Sequence, residues 1–394
     1  MSNLHLVSTY LITSFGFLLP FSVAANYMIL GILFILWIVK AELKETYEII
    51  KESPLAKWCV VWLILHILGI VWLENVAEAS TTIKKPIYLA LVPLLMTLFK
   101  VQFANLAVNV FLTAIFIYHI LVFGIHFDLW TIEPMQWGGT PFINRVHYSP
   151  MLVFAMLLLY FQQKEWSSKL QKCSWLIQIS FLSSLIITEG RTGQILLVIM
   201  IVVLLYLETA KKIHFIIGLC VCMIGIGGIA LTSETFSNRF LEIKTSWESL
   251  KKEGNTHSSV GERIHHLDAS IRLIKESPWI GFGTGSYRSE HQRLIDTYYP
   301  PGTINTDHPH NQFLQTSVQF GLFGLIILLL LLPVLLQAYK IFPNHKYRSF
   351  LILYPLGYFF TLLTDDFLYG VPSLSLFIFL STILYHPDWK TFKN

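Results

Sequence analysis

Apolar runs of about 20 residues, the length needed to cross a bilayer, recur from one end of this 394-residue chain to the other. They centre near positions 13, 31, 65, 91, 113, 154, 180, 199, 222, 325, 355 and 378, about twelve in all. Pro20, Pro93 and Pro355 interrupt the first, fourth and eleventh; a membrane helix carries a proline where neighbours satisfy the freed carbonyl. Only 13% of residues are charged, against about 25% in a soluble domain, and mean hydropathy is +0.58. The expected fold is an all-α polytopic membrane protein, not a soluble domain with an anchor.

Orientation follows from lysine and arginine in the short connections. With the N-terminus inside, the inner segments hold fifteen of the 28 basic residues, and the short outer loops hold four: Lys84, Lys85, Arg145 and Arg191. The other nine lie in one long polar stretch, which translocates regardless of charge. The expected organisation is nine spans in residues 1–231, a periplasmic loop over 232–310, and three spans in 311–394, with both termini cytoplasmic. The net charge of +4 reflects this topology and does not point to nucleic acid. No lysine or arginine precedes Lys40 and no clear cleavage site follows, so the start reads as two spans, not a signal peptide. Cys59, Cys173, Cys220 and Cys222 all lie in or beside spans, which argues against a disulfide framework or a zinc site.

The long loop is patterned. Residues 238–252 and 262–276 look helical, the second with Ile264, Leu267, Ile271 and Ile274 as an apolar face and Arg263 and Arg272 off it. Ser277-Pro278 ends that helix and Gly281-Phe282-Gly283-Thr284-Gly285 follows. The glycine run follows no strand, so it is no dinucleotide fingerprint, and reads best as a flexible turn.

Two residues at the outer face carry the chemical argument. Arg191, in Glu189-Gly190-Arg191-Thr192-Gly193, opens an apolar helix. It reads as a rim arginine paired with Glu189 or as a phosphate clamp, since guanidinium binds phosphate bidentately. His310 precedes another apolar helix in His308-Pro309-His310-Asn311, with Asn311 as a good N-cap. Asn311, Gln315 and Gln319 recur at spacing four, a polar stripe that must face protein or water and not lipid. A histidine atop that stripe titrates in the range of a general base, with His308 the second candidate. Arg263 is a second clamp or a solvated charge. Asp365 and Asp366 read as solvated turn residues, or as groups that orient His310 or bind acceptor hydroxyls. No spacing suggests a metal, and no cofactor is expected.

Read in order, three stretches resemble the O-antigen ligase family, within a wider group that includes O-antigen polymerases and O-oligosaccharyltransferases. They are Glu189 to Gly193; Gly261-Glu262-Arg263 through Pro278-Trp279-Ile280-Gly281-Phe282-Gly283-Thr284-Gly285; and His308 to Gln315 with Gly321-Leu322-Phe323-Gly324. The resemblance covers residues 183–335. It implies a glycosyltransferase at the periplasmic face of a Gram-negative inner membrane, working without metal or ATP. Its donor would be an undecaprenyl diphosphate-linked glycan and its acceptor a sugar hydroxyl of lipid A–core. On this reading His310 is the catalytic base, Arg191 and Arg263 hold the diphosphate, and the anomeric centre inverts. A polymerase would use the same donor with a lipid-linked glycan as acceptor. Protein glycosylation and transport of a lipid-linked glycan are the remaining readings.

Overall fold

The computed structural model describes residues 3–132, 139–188, 190–209, 216, 259–299 and 303–392. Among the described residues, regular structure is helical. The first half holds α1 (Asn3–Leu18), α2 (Val23–Lys40), α3 (Leu43–Glu52), α4 (Pro54–Leu68), α5 (Val76–Thr82), α6 (Lys84–Leu89), α7 (Val92–Leu98), α8 (Ala104–His126), α9 (Arg145–Gln162), α10 (Ser168–Ile187) and α11 (Arg191–Glu208). The rest are α12 (Ser259–Glu276), α13 (Tyr287–Tyr298), α14 (Gln312–Leu336), α15 (Ala338–Ile341), α16 (Phe350–Thr364) and α17 (Val371–Leu384).

Five of these runs are long and apolar enough to cross a membrane: α2, α8 with the turn before it, α10, α11, and α14 with α15. Four shorter apolar helices accompany them, in α1, α4, α16 and α17. Side-chain caps set several starts: Ser22 accepts from the Ala25 amide, Ser53 from Ala56 with Pro54 following, and Asn144 from Val146. The span expected near 91 is instead three short helices, α5 to α7. Pro86 and Pro93 each stand in the first turn of a new helix, because proline lacks the amide that would continue the preceding one. The span near 222 and the helix at 238–252 lie outside the described residues.

α9 and α17 form the centre. Every α9 residue from Tyr148 to Leu159 is buried, as is α17 from Pro372 to Leu384. α1 packs on α8, α11 on α9 and α16, and α14 on α4 and α16. Helices at the periphery expose apolar side chains, such as Met28, Ile35 and Val39 on α2 and Leu176 and Ile179 on α10. One end of the bundle is laced by ion pairs of basic residues from the connections: Lys164 with Glu208 at 2.8 Å, Lys346 with Glu165 at 2.5 Å, and Lys390 with Glu52 at 3.5 Å. The loop before α14 and the connection from α16 to α17 lie at the opposite end.

There α12 and α13 share a small core, Ala269, Leu273, Tyr287 and Leu294, closed by Val318 of α14. The buried face of α12 is therefore only in part the expected apolar stripe, with Ile274 packed on this core. Leu267 and Ile271 are exposed, whereas His265, His266, Ala269, Ser270 and Leu273 point inward. Helical spacing marked the isoleucine–leucine face, and the partner helices cover the one that carries histidine.

The glycine run is likewise not a flexible turn. α14 breaks at Gly321 (φ 57°, ψ −150°), and residues 278–283 pair with the break along the backbone. The Phe282 amide donates to the Val318 carbonyl at 3.0 Å and Gly283 to Gln319 at 2.8 Å; in return Leu322 donates to Pro278 at 2.8 Å. Gly281 (φ 65°) and Gly321 face each other's backbones: a Cβ on Gly281 would overlap the Val318 carbonyl and the Gln319–Phe320 peptide, and one on Gly321 the Trp279–Ile280 peptide. The Thr284 amide then donates to Gly69 at the end of α4, at 3.1 Å. The loop thereby satisfies carbonyls that the break in a largely buried helix would leave unpaired.

Candidate functional site

The site grows from the start of α14. The Asn311 side chain caps the helix by accepting from the Phe313 and Leu314 amides, and its own amide donates to the Leu363 carbonyl at 3.1 Å. That bond ties the α14 start to the end of α16, where Asp365 and Asp366 follow. His310, just before the cap, has φ of 51°, a left-handed conformation rare for a residue other than glycine. Such conformations persist where surrounding contacts impose them, and they cluster at functional sites.

His310 Nδ1 lies 3.2 Å from Asp365 Oδ1. The His310 amide donates to His308 Nδ1 at 3.3 Å, and that nitrogen also stands 3.6 Å from both Asp365 and Asp366. The carboxylates are not solvated turn residues: their side chains are 14% exposed and directed at the histidines. Burial drives Asp365 upward, but hydrogen bonds from His310 and Asp366 outweigh it and hold this carboxyl below the usual range. Burial and the adjacent Asp365 charge push Asp366 well above it. The two shifts run in opposite directions, which favours the negative charge on Asp365, directed at His310. Burial also lowers His308, in keeping with a neutral ring whose Nδ1 accepts.

This assignment has a stability consequence. A carboxyl raised in the folded state contributes stability below its unfolded value, and that contribution is lost as pH rises through the folded value. Asp366→Asn removes the ionisation and keeps an N–H donor toward Asp365. Its melting temperature is expected to exceed wild type by about 2–4 °C near neutral pH, a change of about 1 kcal/mol, with the gap closing toward pH 4. A melting series across pH in detergent checks this, and a gap that grows on acidification would contradict it.

The polar stripe does face protein. Gln315 and Gln319 are buried; the Tyr369 hydroxyl meets Gln319 Oε1 at 3.4 Å and His66 Nε2 at 2.6 Å. Gln312 accepts from the Leu368 amide at 3.1 Å, fixing the loop that carries the two aspartates.

Arg191 is exposed at the first position of α11. The first turn of α9 links it to His310's neighbours: Ser149 packs under Gly190 and Gly193 and accepts from the Gly193 amide at 3.3 Å. Two residues earlier, the His147 ring meets Phe367 at 5.5 Å and packs on Gly370. Arg191 therefore stands at the same end of the bundle as His310. Glu189, the ion-pair partner in the alternative reading of Arg191, lies outside the described residues. Arg263 is exposed on α12, beside Glu262.

A cavity of about 180 Å³ opens between α12 and the chain leading into α14, lined by Glu262, His265, His266, Thr303, Ile304, Thr306 and His310. The His266 and His310 rings are 5.8 Å apart. Two groups among the described residues have metal-ligating geometry, although no sequence spacing announced one: His308, His310 and Asp365, and His265, His266 and His291. In the first, Asp365 also accepts from the Asp366 amide at 2.9 Å, and its contact with His310 is that of a carboxylate orienting an imidazole. His265 and His266 were open to notice as a consecutive pair after Gly261-Glu262-Arg263. Nothing in the sequence marked His291, Tyr369, His66 or His147.

Residues 176–329 match the family described as O-Antigen ligase. Over 178 residues the chain is 28% identical to a Haemophilus influenzae protein described as an uncharacterized protein, an alignment covering 44% of each chain. The chain thus spans less than half the length of that relative.

Proposed function

We propose that this chain, a member of the O-antigen ligase family through residues 176–329, transfers a glycan from undecaprenyl diphosphate to a sugar hydroxyl of lipid A–core at the periplasmic face of an inner membrane. The observation that carries this reading is the His310–Asp365 pair, with His310 lining a cavity that has room for a substrate group. Asp365 accepts from Nδ1–H of His310, which leaves the Nε2 lone pair to take a proton. The acceptor hydroxyl gives that proton to Nε2, and its oxygen bonds the anomeric carbon. The bond from that carbon to the diphosphate oxygen breaks, and the electron pair leaves on the lipid-linked diphosphate. Attack opposite the leaving group inverts the centre. Arg191 and Arg263 stabilise the charge growing on the diphosphate, the preorganised electrostatics that dominates many such reactions.

Arg191→Ala is expected to lower kcat/KM by about 10²–10³-fold, the cost of removing one oxyanion-type donor. Arg191→Lys is expected to remain impaired by about tenfold or more, because an ammonium lacks the two-pronged geometry. Transfer from purified lipid-linked donor measures both, and a wild-type rate in Arg191→Ala would remove it from the site.

A polymerase would use the same groups with a second lipid-linked glycan as acceptor. Deleting the gene and resolving lipopolysaccharide on a gel, beside the lipid-linked glycan pool, separates the two. Lipid A–core bare of O-antigen, with long polymer on the carrier, means ligase. Lipid A–core bearing one repeat unit, with no long polymer, means polymerase. An unchanged gel and pool would contradict both.

A further inference from the structure

We propose that His265 and His266 of α12 and His291 of α13 form a binding site for a divalent cation of the zinc class, separate from the His310–Asp365 pair. One ring nitrogen from each of the three lies within 4.8 Å of the others, and Nε2 of His265 and of His291 are hydrogen-bonded at 2.9 Å. Tetrahedral zinc with bonds of 2.0–2.1 Å places its ligand nitrogens about 3.3 Å apart, so small ring movements convert this arrangement into a coordination sphere. All three histidines are buried, at 6%, 3% and 0% exposure, and so sit where an incoming ion is held by protein and not by bulk water.

Two further observations point to a cation. His291 Nδ1 meets Asn305 Oδ1 at 2.9 Å. A carboxamide oxygen accepts only, so Nδ1 carries the proton and Nε2 presents its lone pair to the cluster. Metal-ligating histidines are fixed by such a partner behind the ring. His266 Nδ1 is buried with no hydrogen-bond partner, a costly state that a ligand on this ring would help to offset. His265 and His266 also line the cavity, which leaves the fourth coordination position to a water or an anionic oxygen. Three protein ligands with one open position is the arrangement zinc adopts at reactive sites.

The proposal does not depend on the transferase reading, and its test needs no turnover. Full-length protein in detergent, stripped with a chelator and dialysed against Zn²⁺, is expected to retain about one zinc per chain by elemental analysis. Co²⁺ in its place should give the intense visible bands of tetrahedral nitrogen coordination. His265→Ala and His291→Gln should each abolish stoichiometric retention, and Asn305→Ala should weaken it about 10–100-fold. His310→Ala should retain the metal. Absence of stoichiometric zinc from wild type would overturn the proposal whether or not the variants fold. Retention in His291→Gln with loss in His310→Ala would also overturn it, by moving the ion to the other group.

Discussion

Replacing His310 with alanine is expected to lower turnover by about 10²–10⁴-fold, the span of a lost general base, with donor binding retained. The loss is large because two features that make a base competent converge on this ring. Asp365 holds Nδ1 at 3.2 Å and stays ionised, which fixes the tautomer and stabilises the imidazolium that forms on proton transfer. The ring borders the cavity where a hydroxyl would stand. His308 lacks that freedom, since its Nδ1 already accepts from the His310 amide, so His308→Ala is expected to fall by less. Asp365→Ala should cost less than His310→Ala and more than Asp366→Asn. His310→Asn provides the control for folding, because asparagine tolerates the left-handed backbone. Its melting temperature should stay near wild type while transfer is lost. Wild-type turnover in purified His310→Ala, measured with the lipid-linked donor, would refute the assignment of the base.

The ranking of the two histidines shows what the sequence does and does not carry. His308 and His310 are chemically identical there, separated only by family pattern. The structure distinguishes them by which ring nitrogens are taken, a matter of φ at His310 and of where α16 ends. Asp365 and Asp366 lie 55 residues or more from His310, and the Asn311–Leu363 and Gln312–Leu368 bonds and the packing of α14 on α16 bring them together. A turn between two apolar helices looks solvated in a sequence, because nothing local states that another segment will cover it. The polar stripe was legible for the opposite reason. Gln315 and Gln319 lie in a membrane-crossing run where lipid is excluded as a partner, and both are buried.

Helix existence was readable wherever apolar length was unbroken, as in α2, α8, α10, α11 and α14. It failed where proline restarted the chain, from α5 to α7. The face of α12 was misread because its apolar residues recur at helical spacing, whereas burial of the consecutive His265 and His266 follows from contacts with α13 that sequence distance conceals.

The same limit applies to Gly281 and Gly321, and a substitution there is expected to have the largest effect on folding. Gly321→Ala would place a methyl against the Trp279–Ile280 peptide, and Gly281→Ala one against the Gln319–Phe320 peptide. Neither obstacle is a side chain that rotates away. Both positions also have positive φ, at 57° and 65°, which costs a residue with a Cβ about 1–3 kcal/mol; overpacking adds about 1–3 kcal/mol. The sum, about 2–6 kcal/mol, is comparable to the total stability of many domains, about 5–15 kcal/mol. Each variant is therefore expected to show a lower melting temperature and a smaller monodisperse fraction in detergent. Because the lock holds the end of α12 against α14 next to the His310 segment, any protein recovered should also transfer slowly. The double variant tests whether the two glycines act as one contact. If they do, opening the loop relieves both clashes together, and the combined loss is well below the sum of the single losses. Additive losses, or wild-type melting in either single variant, would mean that residues 278–283 do not sit in the break of α14.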